Sequence, residues 1–246
     1  MWVCSGSPLV AEICAGSGLD WLLIDAEHSP NGLESIVAQL HAVSGYPLQV
    51  MVRPPVNDTV LIKQYLDLGV QNLLIPMVNS AFEAATAVAA VRYPPLGVRG
   101  VGSALARASR WNRVPDYLAN ASDSISLTVQ IESEAAASAV EEILAVDGVD
   151  GIFLGPSDLA ASMGLLGQQE NPPLVRAVVE HCLAAAKAAG KPAGVNAFNE
   201  ATARAYLDAG ASFVLVGADV AVLARASEGF ASTFIPVPET AERESY

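Results

Sequence analysis

The stretch DWLLIDAEHSPN, residues 20–31, decides the fold. Its first half, WLLID at 21–25, is a short apolar run closing on an acid, which is how a strand buried on both faces reads. Its second half sets Asp25, Glu27 and His28 directly after that run and before a Ser-Pro turn, in a chain with only three histidines. A strand apolar on both faces belongs to a parallel sheet covered by helices, so the question is whether the unit repeats.

It repeats eight times. Strand-like runs are WVC at 2–4, WLLID at 21–25, LQVMVR at 48–53, NLLIPM at 72–77, SLTVQIE at 126–132, GIFLG at 151–155, PAGVN at 192–196 and FVLVG at 213–217. Amphipathic, Ala-rich helical patterns fill 8–17, 32–43, 58–69, 81–91, 134–145, 173–189, 199–209 and 219–231. Asp58 and Asn199 are placed to cap helices, and Gly69, Gly148, Gly190 and Gly210 stand just past helix ends. The alternation predicts a closed parallel (β/α)8 TIM barrel over residues 1–234, followed by a flexible tail at 235–246. An open doubly wound sheet is the competitor, but no G-x-G-x-x-G follows the first strand. One segment departs from the plain barrel: residues 93–124 form an insertion between the fourth helix and the fifth strand. It carries Arg99, Arg107, Arg110 and Arg113, with Arg92 just before it. Loops of that length inside a compact domain are usually functional.

Bulk properties narrow the function. With 246 residues, 52% of them hydrophobic, the chain can bury a full core. A net charge of −13 argues against nucleic acid or an anionic membrane as partner, so an anionic substrate needs locally placed cations or a metal. No apolar run approaches the roughly 20 residues of a membrane span, the N-terminus lacks signal-peptide features, and the chain reads as cytoplasmic. Cys4, Cys14 and Cys182 are odd in number and far apart, which suits inert thiols rather than disulfides or a zinc site.

In such a barrel chemistry sits at the C-terminal ends of the strands. There the sequence sets Asp25 and His28 after the second strand and Arg53 at the end of the third. Gln130 and Glu132 end the fifth strand, Ser157 and Asp158 follow the sixth, and Asn196 ends the seventh. Each alone has a structural reading: Asp158 can cap a helix, Arg53 can serve a salt bridge, Asp25 can close a strand and His28 can be a loop histidine. Their convergence on one face is not required by any of those. Glu132 and Asp158 form a carboxylate pair suited to a hard divalent ion, leaving positions open for a chelating 2-oxo acid. Metal-assisted enolate chemistry then asks for a cation, supplied by Arg53, and for a base, supplied by His28 with Asp25 as its neighbouring acid. Backbone N–H groups of Ser157 and Asp158 suit the substrate carboxylate. A lysine Schiff base is the other route, but Lys63 and Lys187 lie in helices and Lys191 at the non-catalytic end of the seventh strand.

The motifs GLDWLLIDAEHSPN, VRPPVND, QNLLIPMV, RYPPLGVRGVG, VQIESEAA, VDGIFLGPSDLAASMG and FVLVGAD, in this order from about residue 2 to residue 234, resemble the HpcH/HpaI family of class II pyruvate aldolases. Within it, RGVGSALARASRWNRVPDYL is similar to the corresponding segment of the 4-hydroxy-2-oxoheptanedioate aldolases. The resemblance implies that His28 is the proton acceptor, Arg53 the enolate stabiliser, and Glu132 and Asp158 the ligands of magnesium, manganese or cobalt. It implies that Gln130, Ser157 and Asp158 contact substrate, that Val195 borders the aldehyde, and that Asp67 raises the basicity of the histidine. It further implies a homo-oligomer, a hexamer built as a trimer of dimers, and a first strand shortened relative to the family. Sibling activities are a deoxy-sugar-acid aldolase or an oxaloacetate decarboxylase using the same enolate; a non-catalytic binding protein on the same fold is the rival from another class.

Overall fold

A computed structural model describes residues 1–167 and 172–235; all but the first residue of the expected tail lies outside them. The eight strands are β1 Trp2–Val3, β2 Trp21–Asp25, β3 Gln49–Arg53, β4 Asn72–Ile75, β5 Ser126–Ile131, β6 Gly151–Leu154, β7 Ala193–Asn196 and β8 Phe213–Leu215. They pair in parallel in sequence order, and a bridge from Trp2 to Ala218 closes the ring, with Trp2 N donating to Gly217 O at 2.8 Å. The expected (β/α)8 barrel is therefore the fold.

Helices alternate with the strands: α1 Pro8–Ala15, α2 Leu33–Ala42, α3 Thr59–Asp67, α4 Ala81–Val91, the short α5 Tyr117–Asn120, α6 Glu134–Ser138, α7 Val140–Leu144, α8 Pro156–Ser162, α9 Pro173–Ala188, α10 Glu200–Asp208 and α11 Asp219–Phe234. Asp58 caps α3 by accepting from Val60 and Leu61 N–H at 2.9 Å, and Asn199 caps α10 through Thr202 N–H. The pattern at 134–145 breaks into α6 and α7 at Ala139, whose backbone leaves the helical region.

Period-2 alternation gives every strand an outer and a luminal face. Outward residues such as Leu22, Ile24, Val52, Leu73, Val129, Ile152 and Val195 pack into the layer between sheet and helices. Inward residues build a second, separate core from Trp2, Leu23, Leu74, Phe153 and Leu215, with Trp21 and Phe213 against it. Trp21 meets Phe213 edge-on at 5.4 Å and Phe153 at 6.4 Å, and Trp2 meets Phe153 at 6.5 Å, geometries that favour the ring quadrupoles. Gly194 makes this plug possible, because a Cβ there would overlap the rings of Phe213 and Phe153. The plug fills the lower lumen and leaves the polar residues only the C-terminal end.

The insertion lies under the helices at the opposite end. Helices α2, α3 and α4 run antiparallel to the strands, so their C-termini mark the N-terminal face of the barrel. Arg107 there donates to Leu68 O at 2.8 Å and to His41 Nε2 at 3.0 Å. Arg99 is completely buried, donates to Asp67 Oδ1 at 3.1 Å and to Tyr117 Oη at 3.2 Å, and stacks over Tyr93 at 4.6 Å. Four exposed residues of the segment, Arg110, Trp111, Asn112 and Asp116, hold positive φ.

Candidate active site

The site begins with the register of β2 and β3, which sets Asp25 directly opposite Arg53. Both side chains point into the lumen and are buried, 1% and 5% exposed. Arg53 Nε donates to Asp25 Oδ1 at 2.7 Å, its Nη1 lies 2.9 Å from Glu27 Oε2, and its guanidinium stacks over the Trp2 ring at 4.2 Å. Nη1 also reaches Gln130 Oε1 at 3.4 Å, so the cation ties β3 to β5. Trp2 is held in turn by its Nε1 donating to Asn196 Oδ1 at 2.9 Å.

Asp25 organises the loop after β2. Its Oδ1 accepts from Glu27 N–H and its Oδ2 from His28 N–H, each at 3.1 Å, while its carbonyl accepts from Asn31 Nδ2 at 2.7 Å and from Ser29 Oγ. It therefore fixes the backbone of His28 rather than the imidazole. The ring itself is exposed, and its Nε2 lies 3.7 Å from Glu27 Oε2.

Glu132 stands just past β5, 3% exposed. Its Oε1 accepts from Met77 N–H at 2.7 Å and its Oε2 from Gln130 Nε2. Met77 holds φ at +52°, a conformation that bulky residues avoid, and this turn aims its N–H at the carboxylate. Asn79 Nδ2 donates to Met77 O, and Ser133 Oγ, which caps α6, donates to Asn79 Oδ1. Gly155 closes the other side: a Cβ there would lie 3.2 Å from Gln130 Nε2 and from Glu132 Cβ and Oε2. Asp158 sits exposed in the first turn of α8, whose cap is Gly155, so it is not the helix cap that its position allowed. Ser157 is likewise exposed at that helix start.

The electrostatics of this group are short of positive charge. Burial pushes the Glu132 carboxyl up to about 7; Glu27 and Asp158 add to the rise, while the Met77 N–H and Arg53 oppose it. Burial also raises Glu27, with Arg53 and His28 opposing and with Asp25 and Asp158 adding. Glu132 and Asp158 are hard oxygen donors, and the Asp158 charge is among those that raise the Glu132 carboxyl, a juxtaposition that fits a divalent cation. Among the described residues no three acids, histidines or cysteines gather at a single point. The donor set on offer is thus a pair, Glu132 and Asp158, which leaves room for water and substrate oxygens.

Two expected residues are placed elsewhere. Val195 points outward and is fully buried between sheet and helices; Gly194 and Asn196 are the luminal residues of β7. Val195 therefore does not line the site, because a run apolar on both faces hides which alternate residues point inward. Asp67 ends α3 at the N-terminal face and is paired with Arg99, so the chain does not bring it to its own His28. Glu27, which the sequence places beside His28 without a role of its own, and the Met77 N–H, which it does not announce, are further parts of the site. The signal for Glu27 was its i+2 spacing from Asp25, whereas nothing local announced Met77.

Barrel enzymes carry their chemistry at the C-terminal ends of the strands, and there this chain gathers a buried arginine, strand-end acids and an exposed histidine. The chain belongs to the HpcH/HpaI aldolase/citrate lyase family, whose model matches residues 1–226, and it is an enzyme of that aldolase class. It is 53% identical over 234 residues, 95% of this chain and 89% of the relative, to the 4-hydroxy-2-oxo-heptane-1,7-dioate aldolase of Salmonella dublin. Among solved structures it resembles an HpcH/HpaI aldolase/citrate lyase family protein from Burkholderia cenocepacia J2315, with TM-score 0.90 and 38% identity over 95% of this chain and 92% of that one. An HpcH/HpaI aldolase from Desulfitobacterium hafniense DCB-2 matches with TM-score 0.87 and 29% identity over 96% and 92%.

Proposed function

We propose that this protein cleaves 4-hydroxy-2-oxoheptane-1,7-dioate to pyruvate and succinic semialdehyde, and runs the reverse condensation. The 53% identity to an aldolase of that name across 95% of the chain carries the reading. The buried Arg53, linked through Gln130 to Glu132, supports it chemically.

A divalent ion, magnesium, manganese or cobalt, held by Glu132 and Asp158 would supply Lewis acidity to the ketone and carboxylate of a 2-oxo acid. Gln130 and the N–H groups of Ser157 and Asp158 orient the pyruvyl end. His28 takes the proton of the C4 hydroxyl; the C4–O bond becomes the carbonyl of succinic semialdehyde as the C3–C4 bond breaks. The electron pair of that bond moves into the enolate of pyruvate, whose oxygen faces the Arg53 guanidinium. Protonation at C3 completes pyruvate. Trp2, Asp25 and Asn196 keep Arg53 in place throughout.

Asp67 can raise the basicity of a histidine only in another copy of the chain, since its own end of the barrel lies opposite His28. We therefore take the assembly to be the homo-oligomer that the family resemblance implies, a hexamer built as a trimer of dimers. The partners are then small 2-oxo acids and aldehydes in the cytoplasm. No helix among the described residues is long and apolar enough to cross a membrane.

The test is pyruvate release from a panel of 4-hydroxy-2-oxo acids and oxaloacetate, with and without chelator and with each metal restored. Chelator-sensitive cleavage of the seven-carbon dioate is expected to exceed the others. Preference for a deoxy-sugar acid, or chelator-insensitive release, would overturn the assignment.

A further inference from the structure

Glu27 stands between the two groups on which the proposed cleavage depends, and so far it has no task there. Its Oε2 lies 2.9 Å from Arg53 Nη1 and 3.7 Å from His28 Nε2, and the side chain is 14% exposed. That buried oxygen makes an ion pair with Arg53 but no aligned hydrogen bond among the described residues. Asp25, the acid nearest His28 along the sequence, is already spent: one oxygen holds Glu27 N–H and Arg53 Nε, the other His28 N–H. The charged groups around Glu27 are Arg53 from β3, Asp25 from β2, Asp158 from α8, Glu132 after β5 and His28 on its own loop.

We propose that Glu27 is the positioning residue that couples Arg53 to His28, one carboxylate holding the guanidinium and facing the base. The inference rests on the reading of Arg53 as enolate cation and His28 as base. At 3.7 Å the neutral imidazole is beyond hydrogen-bond reach of Oε2, whereas the imidazolium lies within ion-pair range. Glu27 thus favours His28 only after the substrate proton has arrived, which is the differential stabilisation that speeds a step. Atoms balance without any added reagent: the hydroxyl proton moves to His28 and later returns to solvent or C3, and Glu27 exchanges no proton in the step.

The experiment uses the full chain with saturating divalent metal and 4-hydroxy-2-oxoheptane-1,7-dioate. Wild-type protein is measured first, and a wild type that releases no pyruvate overturns the functional reading itself. With wild-type turnover in hand, Glu27→Gln, which keeps the length and an acceptor for Arg53 but not the charge, is expected to lower kcat roughly 10- to 100-fold. KM should stay within about threefold, as for a group felt mainly in the transition state. Glu27→Asp restores the charge one methylene short, so its kcat should lie between the two. If Glu27→Gln does not fold, Glu27→Asp carries the test alone, with a severalfold loss in kcat at unchanged KM expected. A kcat within twofold of wild type in both variants overturns the proposal, as does a loss expressed only in KM.

Discussion

Arg53 and Asp25 face each other across neighbouring strands, Nε to Oδ1 at 2.7 Å, in a lumen whose lower part is filled by aromatic and aliphatic side chains. The pair does two jobs at once, because the carboxylate that holds the cation also fixes the N–H groups of Glu27 and His28. One buried acid thus reaches both the Arg53 guanidinium and the backbone of His28.

Asp25→Ala should accordingly cost stability as well as activity. Removing one partner of a buried pair leaves the other charge uncompensated, and here Glu27 remains to offset part of it. Urea unfolding should report a loss of about 3 kcal/mol, with pyruvate release falling together with it.

Gly155→Ala tests the cradle around Glu132. Its backbone, at φ −105°, accepts alanine, so the change acts through the new methyl 3.2 Å from Gln130 and Glu132. The expected outcome is a folded protein that needs roughly 10-fold more divalent metal for half-maximal turnover, read from a metal titration.

The arginine beneath the barrel gives a third case. Arg99→Met strips Asp67 of its partner and unstacks Tyr93 and Tyr117, loosening the insertion from α3. Trypsin should then cut at Arg107, Arg110 or Arg113 about 10-fold faster than in wild type, since cleavage follows the population of the locally opened state. An unchanged digestion rate would mean that the ion pair does not hold the segment.

Thiol chemistry supplies the pH test. Burial pushes the Cys182 thiol up to about 12, with Glu141 adding, and burial likewise pushes Cys4 up to about 12, with Asp25 and Asp219 adding and Arg53 opposing. The thiolate is the nucleophile, so iodoacetamide at pH 8 should leave both unmodified in native protein and label both after unfolding, as mass spectrometry will show. The sign for stability follows. The unfolded thiols ionise near ~8.5 while the folded ones stay protonated, so these groups favour the fold below ~8.5 and lose that contribution as pH rises toward 12.

Much of this was legible in the chain because eight apolar runs alternating with amphipathic helices leave few other architectures. Strand-end acids such as Glu132 could be placed on the catalytic face from position alone. What stayed hidden was phase: runs like AGV in β7 are apolar on both sides, so nothing local says that Gly194 rather than Val195 faces inward. Long-range pairing was hidden too. The partner of Asp67 lies in the insertion, 32 residues on, and the donor to Glu132 is a main-chain N–H 55 residues away. The pairing of Glu27 with Arg53 was hidden as well, because it depends on how the arginine side chain lies, which no spacing rule encodes.

The seam between the first and last elements has a consequence for how the molecule forms. Asp219, buried at the start of α11, accepts from Cys4 and Ser5 N–H, contacts that span 215 and 214 residues. Loop closure over such a separation carries an entropic cost that local contacts do not. On the ribosome, β1 must wait for nearly the whole chain before it has a neighbour on its open side. Trp2, which stacks on Arg53, belongs to the strand that waits longest for its second neighbour, so the seat of the arginine is complete only with the final closing event.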